Sequence, residues 1–190
     1  DLSRIVPAAD AAFGRLDGAL LSVGGPPPGS VLTTTDDQWR ASFDSVFLGS
    51  IRMARAVCTG IASCGQAATG SLARVLSTSA GEVFTGLTLS NGLRPGLAML
   101  VKDLADEVGP TGIRVNGLLP GRIATDRLAA LDAASGDAAA ARARASARIP
   151  LGRYGEPEEF GRVAAFVLSP AAAYVTGTLI AVDGGITRQP

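Results

Sequence analysis

Residues Gly112 to Leu128 read GIRVNGLLPGRIATDRL, and further on come IPLGRYGEPEEF (Ile149 to Phe160) and YVTGTLIAVDGG (Tyr174 to Gly185). Gly112 to Leu118 is a short apolar run, the pattern of a buried strand. Its polar members, Arg114 and Asn116, need partners, which predicts positions near the strand edges or a cleft. Pro120-Gly121 ends the run in a turn. Glu156 to Leu168 has helical spacing with Pro157 in its first turn. Leu179 to Val182 is a final strand ahead of Asp183-Gly184-Gly185. Strand, helix and strand with crossovers of this length predict the back half of a doubly wound α/β fold with a parallel sheet.

Upstream the same alternation continues. Ala8 to Phe13 predicts a short helix starting near Pro7 and stopped by Gly14. LDGALLSV, Leu16 to Val23, is a second buried strand pattern, and GGPPPGS, Gly24 to Ser30, is a loop that no ladder or helix can use. Thr35 is placed to N-cap a long helix through Asp36, Trp39, Phe43, Phe47 and Ile51. Their spacing makes an aromatic stripe, read as packing rather than as a cofactor stack. Gly60 to Thr69 reads as a surface loop or a frayed helix end. LARVLSTS, Leu72 to Ser79, is a strand ending in hydroxyls. Pro95 to Val108 predicts a helix, with Ser90 to Arg94 leading into it. Ala133 to Arg148 has high helix propensity, but its apolar face is mostly methyls, so a weakly anchored, mobile helix is expected. A sheet of this type binds ligands beyond the carboxyl ends of its strands, where Gly24, Ser77, Thr78 and Pro120 all fall.

Composition narrows the chemistry. At 190 residues, 47% apolar and 18% charged, the chain has the makings of one domain with a substantial core. The formal net charge is zero, which gives no reason to expect nucleic acid or an anionic membrane as partner. No basic-then-apolar leader opens the sequence and no apolar stretch of about 20 residues is visible, so a soluble, cytoplasmic protein is expected. There is no histidine, which excludes Ser-His-Asp and Cys-His systems within the chain. A general base is expected from the carboxylates, from Lys102, from Tyr154 or Tyr174, or from a less usual group. Cys58 and Cys64 are six apart, not a CxxC pair, and no metal site is expected.

Taken together these motifs resemble the short-chain dehydrogenase/reductase family over essentially the whole chain. Asp1-Leu2 is similar to the pair that ends the family's third strand and touches adenine. Leu16 to Gly24 resembles its fourth strand and Asn-Asn-Ala-Gly turn, of which Gly24 remains. Asn116-Gly117 and Pro120-Gly121 match the sixth strand and turn, and Thr125 the residue at the nicotinamide end. Arg153-Tyr154-Gly155, Pro157-Glu158-Glu159, Val175-Thr176-Gly177 and Val182 to Gly185 complete the carboxyl-terminal signature. The resemblance implies a single Rossmann-like domain over residues 1–190. It implies NAD or NADP held by Asp1, Leu2, Gly24, Pro120, Gly121, Ile123 and Thr125, and a small carbonyl or alcohol substrate. The glycine-rich turn and first three strands are expected upstream of Asp1, leaving Leu16 to Val23 as an edge. A homodimer or homotetramer is implied through helices at Thr35–Val57 and Ser90–Val108, with apolar faces Phe43 to Ile51 and Leu97 to Leu104.

The family's catalytic Tyr and Lys fall on Ser90 and Arg94. A second register places them on Leu87 and Asn91. The family serine falls on Ser77 or Thr78, and the helix asparagine of its proton relay on Ser45. Serine is far less acidic than a phenol of pKa about 10, and arginine is a poor proton carrier. Two functions therefore stand side by side: an NAD(P)-linked oxidoreductase with an altered proton relay, and a non-catalytic binding or scaffold protein on the same fold. The expected substrate contacts, Gly81 to Leu89, are small and apolar, which suggests a modest uncharged ligand.

Overall fold

The computed structural model describes residues 4–63 and 70–188. Asp1, Leu2 and Cys64 lie outside the described residues. Four parallel strands, β1 (Gly18–Ser22), β2 (Ser71–Val75), β3 (Arg114–Pro120) and β4 (Leu179–Val182), form one sheet in sequential order. Their registers pair Ala73 with Asn116 and Leu118 with Ile180. Successive strand residues face opposite sides, so each strand supplies two cores. On one side Leu72, Leu76 and Val115 pack with Val57, Ile61, Leu97 and Val101. On the other, Ala73 and Leu118 pack with Ala164 and Val167. Each such large apolar side chain contributes about 2 kcal/mol on burial. Helices cover both faces, as in a doubly wound fold.

The helices are α1 (Ile5–Phe13), α2 (Asp36–Ser42), α3 (Gly49–Ser63), α4 (Thr88–Val108), α5 (Asp126–Ala133), α6 (Ala138–Ser146) and α7 (Pro157–Leu168). Thr35 does cap α2, in a reciprocal capping box with Gln38. From α2 the chain passes through a π-helical turn, Phe43–Leu48, straight into α3. The resulting helix, Asp36–Ser63, spans 28 residues and is long and apolar enough, by length and composition alone, to cross a bilayer. This corrects the expectation that no stretch approaches that length. Its apolarity has a local reason: Val46, Ala54, Val57 and Ile61 face the sheet-side core.

The predicted start of α4 at Pro95 is also corrected. The helix begins at Thr88 and runs through Pro95. Pro95 cannot donate to the Asn91 carbonyl, a loss of about 3 kcal/mol in a helix interior. Tight packing around it offsets the cost. A Cβ on Gly92 would stand 2.6 Å from the Trp39 ring, and one on Gly96 2.9 Å from Phe47. The aromatic stripe thus seats its rings in glycine notches of α4. Leu97 is fully buried, so the outward apolar residues on these helices are Phe43 and Met99 rather than a face starting at Leu97.

The alanine-rich segment Ala133 to Arg148 is not helical throughout: α5 ends at Ala133 and a separate helix, α6, begins at Ala138. The break falls at Gly136, whose φ of +87° suits glycine, and Asp137 caps α6 by accepting from the Ala140 amide. Arg114 and Asn116 lie in the amino-terminal half of β3, away from the cleft. Arg114 donates to the carbonyls of Val167 (2.8 Å), Ser169 (3.0 Å), Val175 (3.2 Å) and Leu168 (3.5 Å). Asn116 donates to Val175 at 2.9 Å. Both tie the end of α7 and the approach to β4 onto the sheet, where a cation also complements the helix carboxyl terminus.

Candidate active site

A cleft of about 530 Å³ opens just past the carboxyl ends of β1, β2 and β3. Gly24 reaches it from β1, Ser77 from β2, and Pro120, Gly121, Ile123 and Thr125 from β3, while α4 contributes Ser90 and Arg94. Thr78 does not line it: its side chain is buried in the single 3₁₀ turn Thr78–Ala80. Ser45 sits in the π-helical turn, and its hydroxyl donates to the Ala41 carbonyl at 2.7 Å. It lines a smaller hollow of about 320 Å³ on the other side of Gly24 and Pro26. Of the second register, Leu87 lines the cleft, but Asn91 is committed to Phe84, donating to its carbonyl at 2.9 Å and accepting from its amide at 3.2 Å. The loop before α4 is held to the loop after β1 by Gly29, whose amide donates to Gly86 and whose carbonyl accepts from Thr88.

Ser90 is the third residue of α4 and does not cap it; the N-cap is Leu87, with no side-chain bond. Its hydroxyl instead meets Ser79 Oγ at 2.8 Å. Ser79 Oγ donates to Ser77 Oγ at 3.0 Å, and the Ser79 amide bonds the same oxygen at 3.1 Å. A hydroxyl has one proton, so with Ser79 donating to Ser77, the bond between Ser79 and Ser90 uses the Ser90 proton. The Ser77 proton is then free to point into the cleft. This chain of three hydroxyls joins Ser90 to Ser77, both of which line the cleft, through the buried Ser79. Ser79 was not singled out in the sequence; its signal was the Ser-Thr-Ser cluster at the end of a strand.

Arg94 is buried, not a surface charge. Its Nη1 donates to the Val75 carbonyl at 3.2 Å, and its Nε is buried with no hydrogen-bond partner. Burial, and then the charge of Arg127, lowers its pKa. Arg127 reaches from α5 across the cleft toward the Gly25 and Pro26 carbonyls at 3.4 and 3.5 Å. Arg94 and Arg127 are the charged side chains of the lining, and both are cations. That polarity, the unused Arg94 donor and the place beyond the strand ends fit an anionic dinucleotide. Arg127 carried no separate signal in the sequence beyond its place two residues after Thr125.

Neither tyrosine reaches the cleft. The Tyr154 hydroxyl donates to Asp132 at 3.1 Å and accepts from Arg122 at 3.2 Å, with the Arg142 guanidinium 4.7 Å over its ring. Burial, then the bond to Asp132, raises its pKa. The group anchors α5 and α6 to the loop before α7, giving that alanine-rich region a polar fastening that its methyl face lacks. Tyr174 is fully exposed. Lys102 pairs with Asp106 on the outer face of α4.

A family model described as enoyl-(acyl carrier protein) reductase matches residues 1–187. The protein FixR of Bradyrhizobium diazoefficiens is 37% identical over 156 residues, covering 81% of this chain and 51% of that protein. A cyclohexanol dehydrogenase of Rhodococcus is 33% identical over 184 residues, covering 92% of this chain and 64% of the relative. The chain thus spans about half to two thirds of the length of these relatives. Among solved structures, a short-chain oxidoreductase of Pseudomonas aeruginosa PAO1, bound to NADPH and described as containing an atypical catalytic center, superimposes with a TM-score of 0.89 at 28% identity. That match covers 100% of this chain and 72% of the other.

Proposed function

Because this chain belongs to the short-chain dehydrogenase/reductase family, we propose that it works as an oxidoreductase on a small carbonyl or alcohol, with a hydroxyl chain in place of the usual phenol. A nicotinamide cofactor, NAD or NADP, would supply or accept the hydride when bound in the cleft. Gly24, Pro120, Gly121, Ile123 and Thr125 form its bed, and Arg94 and Arg127 neutralise its charge. Ser77 donates its free proton to the carbonyl oxygen as the carbon gains hydride. Ser79 and then Ser90 pass protons along behind it, and water restores the last one. A bound reduced nicotinamide would supply the hydride and the hydroxyl chain the proton, which together would convert the carbonyl to an alcohol. Arg94, one helical turn beyond Ser90, stabilises negative charge left on the chain without giving up its own proton.

The observation that carries this reading is the continuous Ser90, Ser79, Ser77 path ending in a cationic cleft at the strand ends. The test has two parts. Titration with oxidised and reduced NAD and NADP, followed by Trp39 fluorescence, should show saturable binding. Carbonyl reduction should then fall on substitution Ser77→Ala. No binding of any of the four cofactor forms at millimolar concentration would end the proposal.

A second reading, a non-catalytic binding protein, is favoured because, among the described residues, no phenol or ammonium group lines the cleft. Turnover that is lost in Ser77→Ala excludes it. In either case a homodimer or homotetramer through the exposed Phe43 and Met99 is proposed, and light scattering of the purified protein tests it.

A further inference from the structure

One wall of the cleft is a helix with almost no core of its own. Of the eight residues of α5, only Asp132 is buried, and α6 buries none. Leu128 and Leu131 of α5 line the cleft instead, with Thr125 and Arg127 beside them. Apolar burial is what normally seats a helix on a protein. Here a carboxylate takes its place.

That carboxylate sits in a polar node. Asp132, 8% exposed, accepts from the hydroxyl of Tyr154, 2% exposed, at 3.1 Å. Arg122 donates to the same hydroxyl at 3.2 Å and stands 3.7 Å from the Asp132 carboxylate. Arg142 of α6 lies 4.7 Å over the Tyr154 ring. A buried carboxylate is costly unless it is paired and hydrogen-bonded, and Arg122 and Tyr154 supply both from two other segments. None of the three lines the cleft, yet each adjoins residues that do. Arg122 lies between Gly121 and Ile123, Asp132 follows Leu131, and Tyr154 comes shortly before Pro157 and Phe160. Backbone bonds close the arrangement: the Gly155 amide donates to the Arg122 carbonyl at 3.0 Å, and the Ala124 amide to the Gly155 carbonyl at 2.8 Å. Three stretches of the cleft wall, 120–125, 128–131 and 157–160, thus converge on the Tyr154 hydroxyl.

We infer that Tyr154, Asp132 and Arg122 are positioning residues, which hold α5 as the wall of the cleft and thereby set how tightly the cleft takes its ligand. Filling the cleft covers Leu128 and Leu131, the apolar burial that α5 otherwise lacks. The node is separate from the Ser90, Ser79, Ser77 path, so it acts on binding rather than on proton transfer. Naming the ligand as cofactor and substrate rests on the oxidoreductase reading above.

The first test does not depend on that reading. It is amide hydrogen exchange of the purified protein, read by mass spectrometry, in wild type and Tyr154→Phe. The variant keeps the ring under Arg142 and loses the hydroxyl. Amides of residues 125–146 should exchange about tenfold faster, the equivalent of one lost buried hydrogen bond, while those of β2 and β3 keep their protection. The second test is titration with NADH and NADPH, scaled to folded protein, in which the dissociation constant should rise about tenfold. In turnover KM should rise while kcat changes by less than about threefold, a split that a loss of stability alone does not produce. Arg122→Met, at a half-exposed side chain, serves where Tyr154→Phe does not fold and should move the readouts the same way. Unchanged exchange in 125–146, or acceleration equal in all segments, overturns the inference. So does faster exchange with unchanged cofactor affinity, which leaves the node a structural fastener only. If wild type binds neither cofactor, the redox reading fails and the exchange result alone decides whether the node holds the wall.

Discussion

Two inward-facing arginines on neighbouring strands meet opposite fates. Arg114 on β3 places its guanidinium against four carbonyls at the end of α7 and the approach to β4. Arg74 on β2 is more deeply buried and has an Nη2 with nothing to bond. The fold can evidently satisfy a guanidinium when the charge serves as a fastener. The difference follows position along the strands: Arg114 sits at their amino-terminal ends, where helix carboxyl termini present spare carbonyls. Arg74 and Arg94 sit toward the carboxyl-terminal ends, where ligands bind. An unsatisfied donor at the first place would be a defect.

The contrast can be broken experimentally. Arg114→Ala should have the largest effect, about 3 kcal/mol or more of lost stability in urea unfolding, because it strips a charged donor from several buried carbonyls. Cofactor affinity per folded molecule should be unchanged; if it falls as well, the two ends of the sheet are not independent. Ser77→Ala should leave stability within about 1 kcal/mol and lower kcat by about 10²-fold, the usual scale of a lost proton-transfer group. An unchanged kcat would remove Ser77 from the proton path. Arg74→Met should raise stability in chloride buffer by about 1 kcal/mol, since replacing a buried unpaired charge with an apolar side chain is favourable. Destabilisation there would mean that Arg74, like Arg114, is a fastener.

The smallest expected effect concerns Asp183, whose carboxylate accepts from the Gly185 amide at 2.8 Å and the Thr187 amide at 3.0 Å. Burial opposes its ionisation, but the Thr187 hydroxyl and these amides prevail and hold its pKa below the ordinary carboxylate value. A depressed folded-state pKa stabilises above the unfolded value and loses that contribution as pH falls through the folded one. Wild type should therefore exceed Asp183→Asn by no more than about 1 kcal/mol at pH 7, since solvent screens this group. In acid unfolding curves the difference should shrink as pH falls below the ordinary carboxylate range.

Several parts of the molecule were legible in the sequence because the cause was local. Short apolar runs located the four strands, period-3.6 apolarity located the long helices, and Thr35 declared itself as a cap through its own hydroxyl. Strand ends located Gly24, Ser77 and Pro120 in the cleft, because chain direction alone decides which end of a parallel strand faces the ligand; Thr78, expected there too, is buried in the turn after β2. Errors arose where packing overrode local preference. Pro95 looked like a helix start until Trp39 and Phe47, filling the hollows at Gly92 and Gly96, held a helix through it. Asn116 looked like a cleft residue until Val175 accepted its amide.

By itself, the order of residues determined a parallel α/β sheet, a ligand cleft at its carboxyl edge, and a chain with no imidazole to move a proton. Those are properties of composition and direction. Only the tertiary structure decided that Ser79 links Ser77 to Ser90, that Tyr154 is taken up by Asp132 and Arg122, and that Arg74 and Arg94 are both buried with a guanidinium nitrogen left unbonded. Hydrogen bonds and charge interactions act over a few ångströms, and the residues concerned are brought that close only when separate strands and helices pack.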